Sequence, residues 1–230
     1  MSILVSSDAP ASHAVARAGR IAAAVLLPIG PAAIAALRFL LPYDTTDDGT
    51  TVVRAIAAHP AREDAVIWLG LLGAFTLVPA AVVACRVVAR RAPRLATEAM
   101  LLMIPGYIGL SWLDAADAVV LYGVRHQLPA PVLADMYTSL HPVYGVAEGV
   151  FVVGHVLGTV LLGVALVRTR LVPLWAGWAT TVSQPLHVLA AVVWTSHTLD
   201  LAAWALLVAG FAALSVAILR DSPDLMLAPG

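Results

Sequence analysis

Residues 143–167 read VYGVAEGVFVVGHVLGTVLLGVALV. At about 1.5 Å per residue, a helix of this length crosses a hydrocarbon core of about 30 Å. Few polar side chains interrupt it, and Tyr144, Glu148, Phe151, His155 and Thr159 recur at steps of three and four. That spacing puts all five on one helical face. A membrane span with a single polar stripe needs something other than lipid opposite that stripe.

Apolar runs of similar length recur on both sides. The others lie at about Arg20–Leu41, Ala65–Arg86, Leu101–Tyr122, Leu171–Trp194 and Leu201–Leu219. Across all 230 residues 61% are hydrophobic and 12% charged, with a mean hydropathy of +0.91. Soluble domains carry about 25% charged residues, so a soluble globule, a disordered chain and a nucleic-acid binder are excluded. All 13 basic residues are arginine, which excludes lysine Schiff-base chemistry. The single cysteine, Cys85, excludes an internal disulfide and a CxxC redox pair.

The arginines orient the spans. With the N-terminus cytoplasmic, one side collects Arg17, Arg20, Arg86, Arg90, Arg91, Arg94, Arg168, Arg170 and Arg220. The other holds only Arg38, Arg54, Arg62 and Arg125, interspersed with acids that include Asp44, Glu63 and Asp64. The predicted fold is an all-α polytopic membrane bundle of about six transmembrane helices, with both termini cytoplasmic. Residues 17–221 form one domain, between a flexible tail at 1–16 that lacks the features of a secretory signal and a C-terminal tail at 222–230. The outer loops are expected to hold two short interfacial helices, Thr51–His59 and Ala130–Leu140. They serve either as plain connectors or as lids over an outward-facing cavity.

Two further spans carry polar stripes. The third presents Tyr107, Ser111, Asp114, Asp117 and Leu121 on one face, and the fifth presents Thr180, Gln184, His187, Ala191 and Trp194. By depth, the acids and His187 occupy the outer half, with His155 and Gln184 near the midplane, which favours a pocket over a track crossing the whole membrane. Trp112 points away from Asp114 and reads as packing, Trp68 and Phe75 as a lipid-facing or core stripe, and Pro28 with Pro31 as a kink that widens the bundle.

Asp114 and Asp117 stand one turn apart, and two acids so close in a low-dielectric pocket suit one of them to act as a proton donor. Glu148 and His155 on the next helix are placed to relay or accept that proton, while Tyr107, Tyr144, Phe151 and Trp194 offer π faces to a cation. Such a pocket suits protonation of an alkene or epoxide followed by carbocation rearrangement. Alternatively, the polar groups only bond the helices to one another. A zinc site lacks HxxH or HExxH spacing, and a haem between His155 and His187 remains a geometric alternative. Asp44, Asp47 and Asp48 read as a turn that starts a helix, with Arg38 snorkelling or pairing with them, and become magnesium ligands only if the reaction begins by diphosphate loss.

In type and layout, residues 101–195 resemble the small integral-membrane terpene cyclases of fungal meroterpenoid and indole-diterpene pathways and their bacterial drimane-type counterparts. Those proteins present a Glu and an Asp to a membrane cavity, and the emopamil-binding sterol isomerases share the acid-plus-aromatic pocket. The resemblance implies a membrane-embedded cyclase or isomerase acting on an isoprenoid or other lipid-like substrate among membrane lipids, with no nucleic acid partner and no cofactor. Asp114 or Asp117 would be the acid, Glu148 with His155 would orient it or take the final proton, and Gln184 with His187 would position the substrate. The composition and the segment VPLWAGW at 172–178 are similar to those of many actinobacterial membrane proteins, implying a bacterial plasma membrane. A proton-coupled small-molecule or lipid transporter, or a non-catalytic ligand-binding membrane protein, fits the same residues.

Overall fold

Proline sets most of the helix starts. Pro60 and Pro93 occupy the first helical positions of α3 (Pro60–Ala89) and α4 (Pro93–Arg125), where a missing N–H costs nothing. Pro129, Pro142 and Pro173 immediately precede α5 (Ala130–Thr138), α6 (Val143–Thr169) and α7 (Leu174–Val188). α2 (Gly49–Ala58) is capped instead by Asp48, whose carboxylate accepts from the Thr50 and Thr51 amides. α1 (Ala9–Leu40) and α8 (His197–Arg220) complete the chain. The computed structural model describes residues 9–220, among which there is no strand. α1 thus begins inside the stretch read as an N-terminal tail; residues 1–8 and 221–230, which include the expected C-terminal tail, lie outside the described residues.

Five helices, α1, α3, α4, α6 and α8, are long and apolar enough to cross a membrane. The sixth expected span is continuous but composite: α7 contains Pro185 and passes into a π turn at Leu189–Val193. The six pack side by side in the cyclic order α1, α3, α4, α6, α7, α8 and back to α1, a closed ring. Glycine sets the closest approaches. A Cβ at Gly106 would lie 2.7 Å from the His155 amide nitrogen, and one at Gly158 would lie 3.0 Å from the Ala99 carbonyl oxygen. The α4–α6 seam therefore has backbone against backbone, as small residues permit in membranes. α1 runs through Pro28 and Pro31 as one helix, and Gly30 between them receives Leu77 and Thr76 of α3. The proline pair therefore marks a close contact and not a widening of the bundle.

One end of the ring is covered. Gly49 of α2 lies against Thr138 and the Ala134 carbonyl of α5, and Val52, Val53 and Ile56 are buried. Leu133 of α5 fits onto Gly123 of α4. α2 and α5 thus pack on each other across the end that the arginine pattern marks as outer. Trp68 and Phe75 point away from the core, 66% and 74% exposed.

Candidate functional site

Beneath α2 and α5 the ring encloses a cavity of about 310 Å³. Its lining includes Asp114, Asp117, Glu148, His155, His187 and Arg38, so the polar stripes of α4, α6 and α7 converge on one space. Tyr43, Tyr137, Tyr144 and Phe151 supply aromatic walls.

Acids gather at the lid end. Asp117 is buried, and its Oδ2 accepts a 2.7 Å hydrogen bond from the Tyr43 hydroxyl. Burial first, and then the charge of Asp117, push that hydroxyl well above the ordinary phenol range, so Tyr43 remains a donor at any physiological pH. The same two causes raise Tyr137. Asp114 lies over Gly70 of α3, where any Cβ would collide with its carboxylate, and its Oδ2 is buried without a partner. Glu63 of α3 is 0% exposed, and neither of its carboxyl oxygens has a hydrogen-bond partner. It lies within electrostatic range of both aspartates.

A second network lies deeper. His187 Nδ1 is 2.5 Å from Asp200 Oδ1, and Arg38 Nε donates to Asp200 Oδ2 at 2.5 Å. With Asp200 thus claimed by Arg38, the contact assigns the His187 proton to Nδ1 and leaves Nε2 as the basic nitrogen of a residue that lines the cavity. The Trp204 indole N–H approaches the same Nδ1 edge-on at 3.2 Å. A nitrogen that donates cannot also accept in that plane, so the shorter carboxylate bond sets the tautomer. His155 donates from Nδ1 to the Phe151 carbonyl at 2.5 Å and keeps a buried Nε2 without a partner. Its ring stacks on Phe151 at 4.2 Å and lies 5.5 Å from that of His187.

Three residues expected in the pocket do not line it. Tyr107 is fully buried and shares a hydrogen bond with Thr159 at 3.2 Å. Gln184 is buried outside the lining, with neither amide atom partnered. Trp194 is 72% exposed. The π turn explains Trp194: the helix closes on it at Val193, with the Trp194 amide donating to the Leu189 carbonyl, and Trp194 itself leaves the helix with φ −131° and ψ 77°. Glu148 borders the cavity from an exposed position.

Arg38, Tyr43, Glu63, Asp200 and Trp204 were not foreseen in these roles. The signal for the last two is the α8 face of Asp200, Trp204, Leu207 and Phe211, again at steps of three and four. Arg38 also donates to Thr45 at 2.9 Å, and Thr45 donates to the Ala191 carbonyl at 3.1 Å, where the π turn leaves that acceptor available. Asp44 meets His197 at 3.0 Å, Asp47 accepts from the Asp44 amide, and Asp48 caps α2. These acids thus build a turn, and Arg38 pairs with Asp200 rather than with them. Among the described residues no group of three or more His, Cys, Asp or Glu is arranged to hold a metal ion. Comparison with known protein families, curated protein sequences and solved structures finds no match.

Proposed function

We propose that this chain is a membrane-embedded acid–base enzyme, a proton-initiated cyclase or isomerase of isoprenoid-type chains in a bacterial plasma membrane. The reading is carried by one observation: a carboxyl pair and a carboxylate-held imidazole line the same aromatic-walled cavity. Asp114 or Asp117 delivers its O–H proton to an alkene carbon or epoxide oxygen, forming one new bond and leaving a carbocation. Tyr137, Tyr144 and Phe151 face that charge with their π systems, and a neighbouring double bond closes the ring or a hydride shifts.

Removal of a C–H proton by His187 Nε2 then restores an alkene, and the proton returns to the carboxylate. The product is an isomer of the substrate, so no co-reactant or cofactor is required. Asp200 and Arg38 act as positioning residues that hold the imidazole in its accepting tautomer. This moves the terminating base from Glu148 and His155 to His187. His155 remains adjacent as a second acceptor. Membrane transport fits less well, because below His155 the ring interior is filled by Leu77, Leu162, Leu166 and Leu207, each 0% exposed.

The test is a product assay on membranes containing the protein, supplied with linear prenyl diphosphates, prenylated acceptors and their epoxides. A product of unchanged mass and shifted chromatographic retention, absent with Asp114→Asn/Asp117→Asn, is expected. A product that has lost diphosphate from a diphosphate substrate, or no turnover across the panel, would overturn the proton-initiated reading.

A further inference from the structure

A second pocket, of about 240 Å³, opens sideways between α4, α5 and the start of α6. Its lining is almost wholly apolar, with Ala116, Val120 and Leu133 inside and Trp112, Val119 and Met136 at the exposed rim. One side of the rim, Trp112 and Val119, belongs to α4, a candidate membrane span, so on that side the opening faces the hydrocarbon layer. Tyr137 and Tyr144 line both this pocket and the acid cavity. The two spaces are thus separated by little more than a pair of aromatic side chains, one on the short helix α5 and one in the first turn of α6.

We propose that the two pockets form one bipartite site for a single-chain membrane amphiphile. Its hydrocarbon tail lies in the lateral pocket and its reactive end passes between Tyr137 and Tyr144 into the acid cavity. The occupant follows from the surroundings: an apolar slot opening into lipid takes hydrocarbon from lipid, and its inner end meets carboxyls that only a polar or protonatable group matches. Either volume alone lies at or below the lower end of the usual range for small-molecule sites, about 300–1,000 Å³, and together they fall within it. Trp112, read from sequence as packing, becomes the outer lip of the slot. The proposal rests on the acid cavity being the ligand site, but it does not require that chemistry occurs there.

The probe is a C15 prenyl alcohol carrying a diazirine at its tail end, photolysed on the full chain in phosphatidylcholine nanodiscs and mapped by peptide mass spectrometry. Labelling is expected on residues 112–120 and 133–144, suppressed by excess unlabelled prenyl alcohol. It should fall about tenfold, a loss of about 1.4 kcal/mol in binding, in Ala115→Trp, which fills the slot from its rim. Met136→Trp fills it from α5 and provides the same test should the first variant fail to fold. Labelling spread over lipid-facing positions such as Phe75 and Val153, without competition and unchanged in the filled variants, would overturn the bipartite site. If that occurs while turnover persists in Ala115→Trp, the cyclase reading survives alone. Slot labelling without turnover of any substrate leaves the bipartite site standing and removes the cyclase.

Discussion

The two ends of the helical ring are built from the same apolar alphabet and have opposite interiors. Towards the arginine-rich end, the space inside the ring is occupied by leucines, and the seams are drawn tight by Gly158, Gly163, Gly177 and Gly210. Towards the α2–α5 end, Arg38, Asp114, Asp117, His155 and His187 project inward instead, and a cavity remains. Packing is cheapest where small residues let backbones meet. Buried ionisable groups are costly, and the proposed chemistry draws on their concentration at one end, while the other end is closely packed.

The largest effect expected from breaking this contrast is on turnover. Asp117→Asn keeps the shape of the side chain but removes the acid, and should lower product formation by about 10²–10⁴-fold, the usual worth of a positioned acid. Tyr43→Phe removes the hydrogen bond to Asp117 and should cost about fivefold, a neutral hydrogen bond being worth about 1 kcal/mol. Product assays on equal amounts of folded protein, judged by unchanged helical circular dichroism, give both numbers. Equal activity of wild type and Asp117→Asn would assign the acid to Asp114, and equal activity of Asp114→Asn/Asp117→Asn would mean that the polar end does not perform acid chemistry.

Next in size is the Asp200 network. Asp200 is 1% exposed and holds both Arg38 and His187. Asp200→Asn leaves a buried guanidinium without its counter-charge and should destabilise the protein by about 3–5 kcal/mol, measured by thermal unfolding in detergent. The double variant Arg38→Met/Asp200→Leu should recover most of that stability while turnover stays low, because His187 has lost the group that sets its tautomer. Recovery of activity along with stability would assign the network to packing alone.

These residues also mark where reading the sequence reaches its limit. The stripes of α4 and α6 were legible because a 3.6-residue period of polar groups stands out in an apolar run. Their convergence on one cavity holds for Asp114, Asp117, His155 and His187. Glu63, Tyr43 and Asp200 lie within about a turn of helix ends or in a loop, where a polar residue reads as interfacial and no period distinguishes it. Only the tertiary arrangement folds those ends inward under α2 and α5. Trp194 failed for the opposite reason: the period was extended across a π turn, which no hydrophobic pattern announces.

A smaller effect separates the α4–α6 seam from the outer surface of α6. Gly106 meets the α6 backbone, whereas a Cβ at Gly149 would meet nothing within 4 Å. Gly106→Ala forces α4 and α6 apart and should cost about 1–3 kcal/mol. Gly149→Ala should stay within about 0.5 kcal/mol of wild type. Both are read from unfolding midpoints in the same detergent. Similar shifts for the two glycines would show that the α4–α6 contact does not anchor the bundle.

The smallest expected effect belongs to the lid, and it depends on pH. Asp48 caps α2, and the hydrogen bonds it accepts, those from the Thr51 backbone and hydroxyl first, hold its carboxyl below the ordinary carboxylate range. A carboxyl whose pKa is lower in the folded state contributes stability above its unfolded pKa and loses it as pH falls through the folded one. Amide protection in α2, normalised to the intrinsic exchange rate, should therefore be constant near neutrality and fall only under acid conditions below the ordinary carboxylate range. Asp48→Asn keeps a good capping residue without a titrating group, so its protection should lose that acid dependence while remaining close to wild type at neutral pH. Persistence of the same acid-dependent opening in Asp48→Asn would place the sensitive group elsewhere. Asp44, with its contact to His197 at 3.0 Å, is then the next residue to replace.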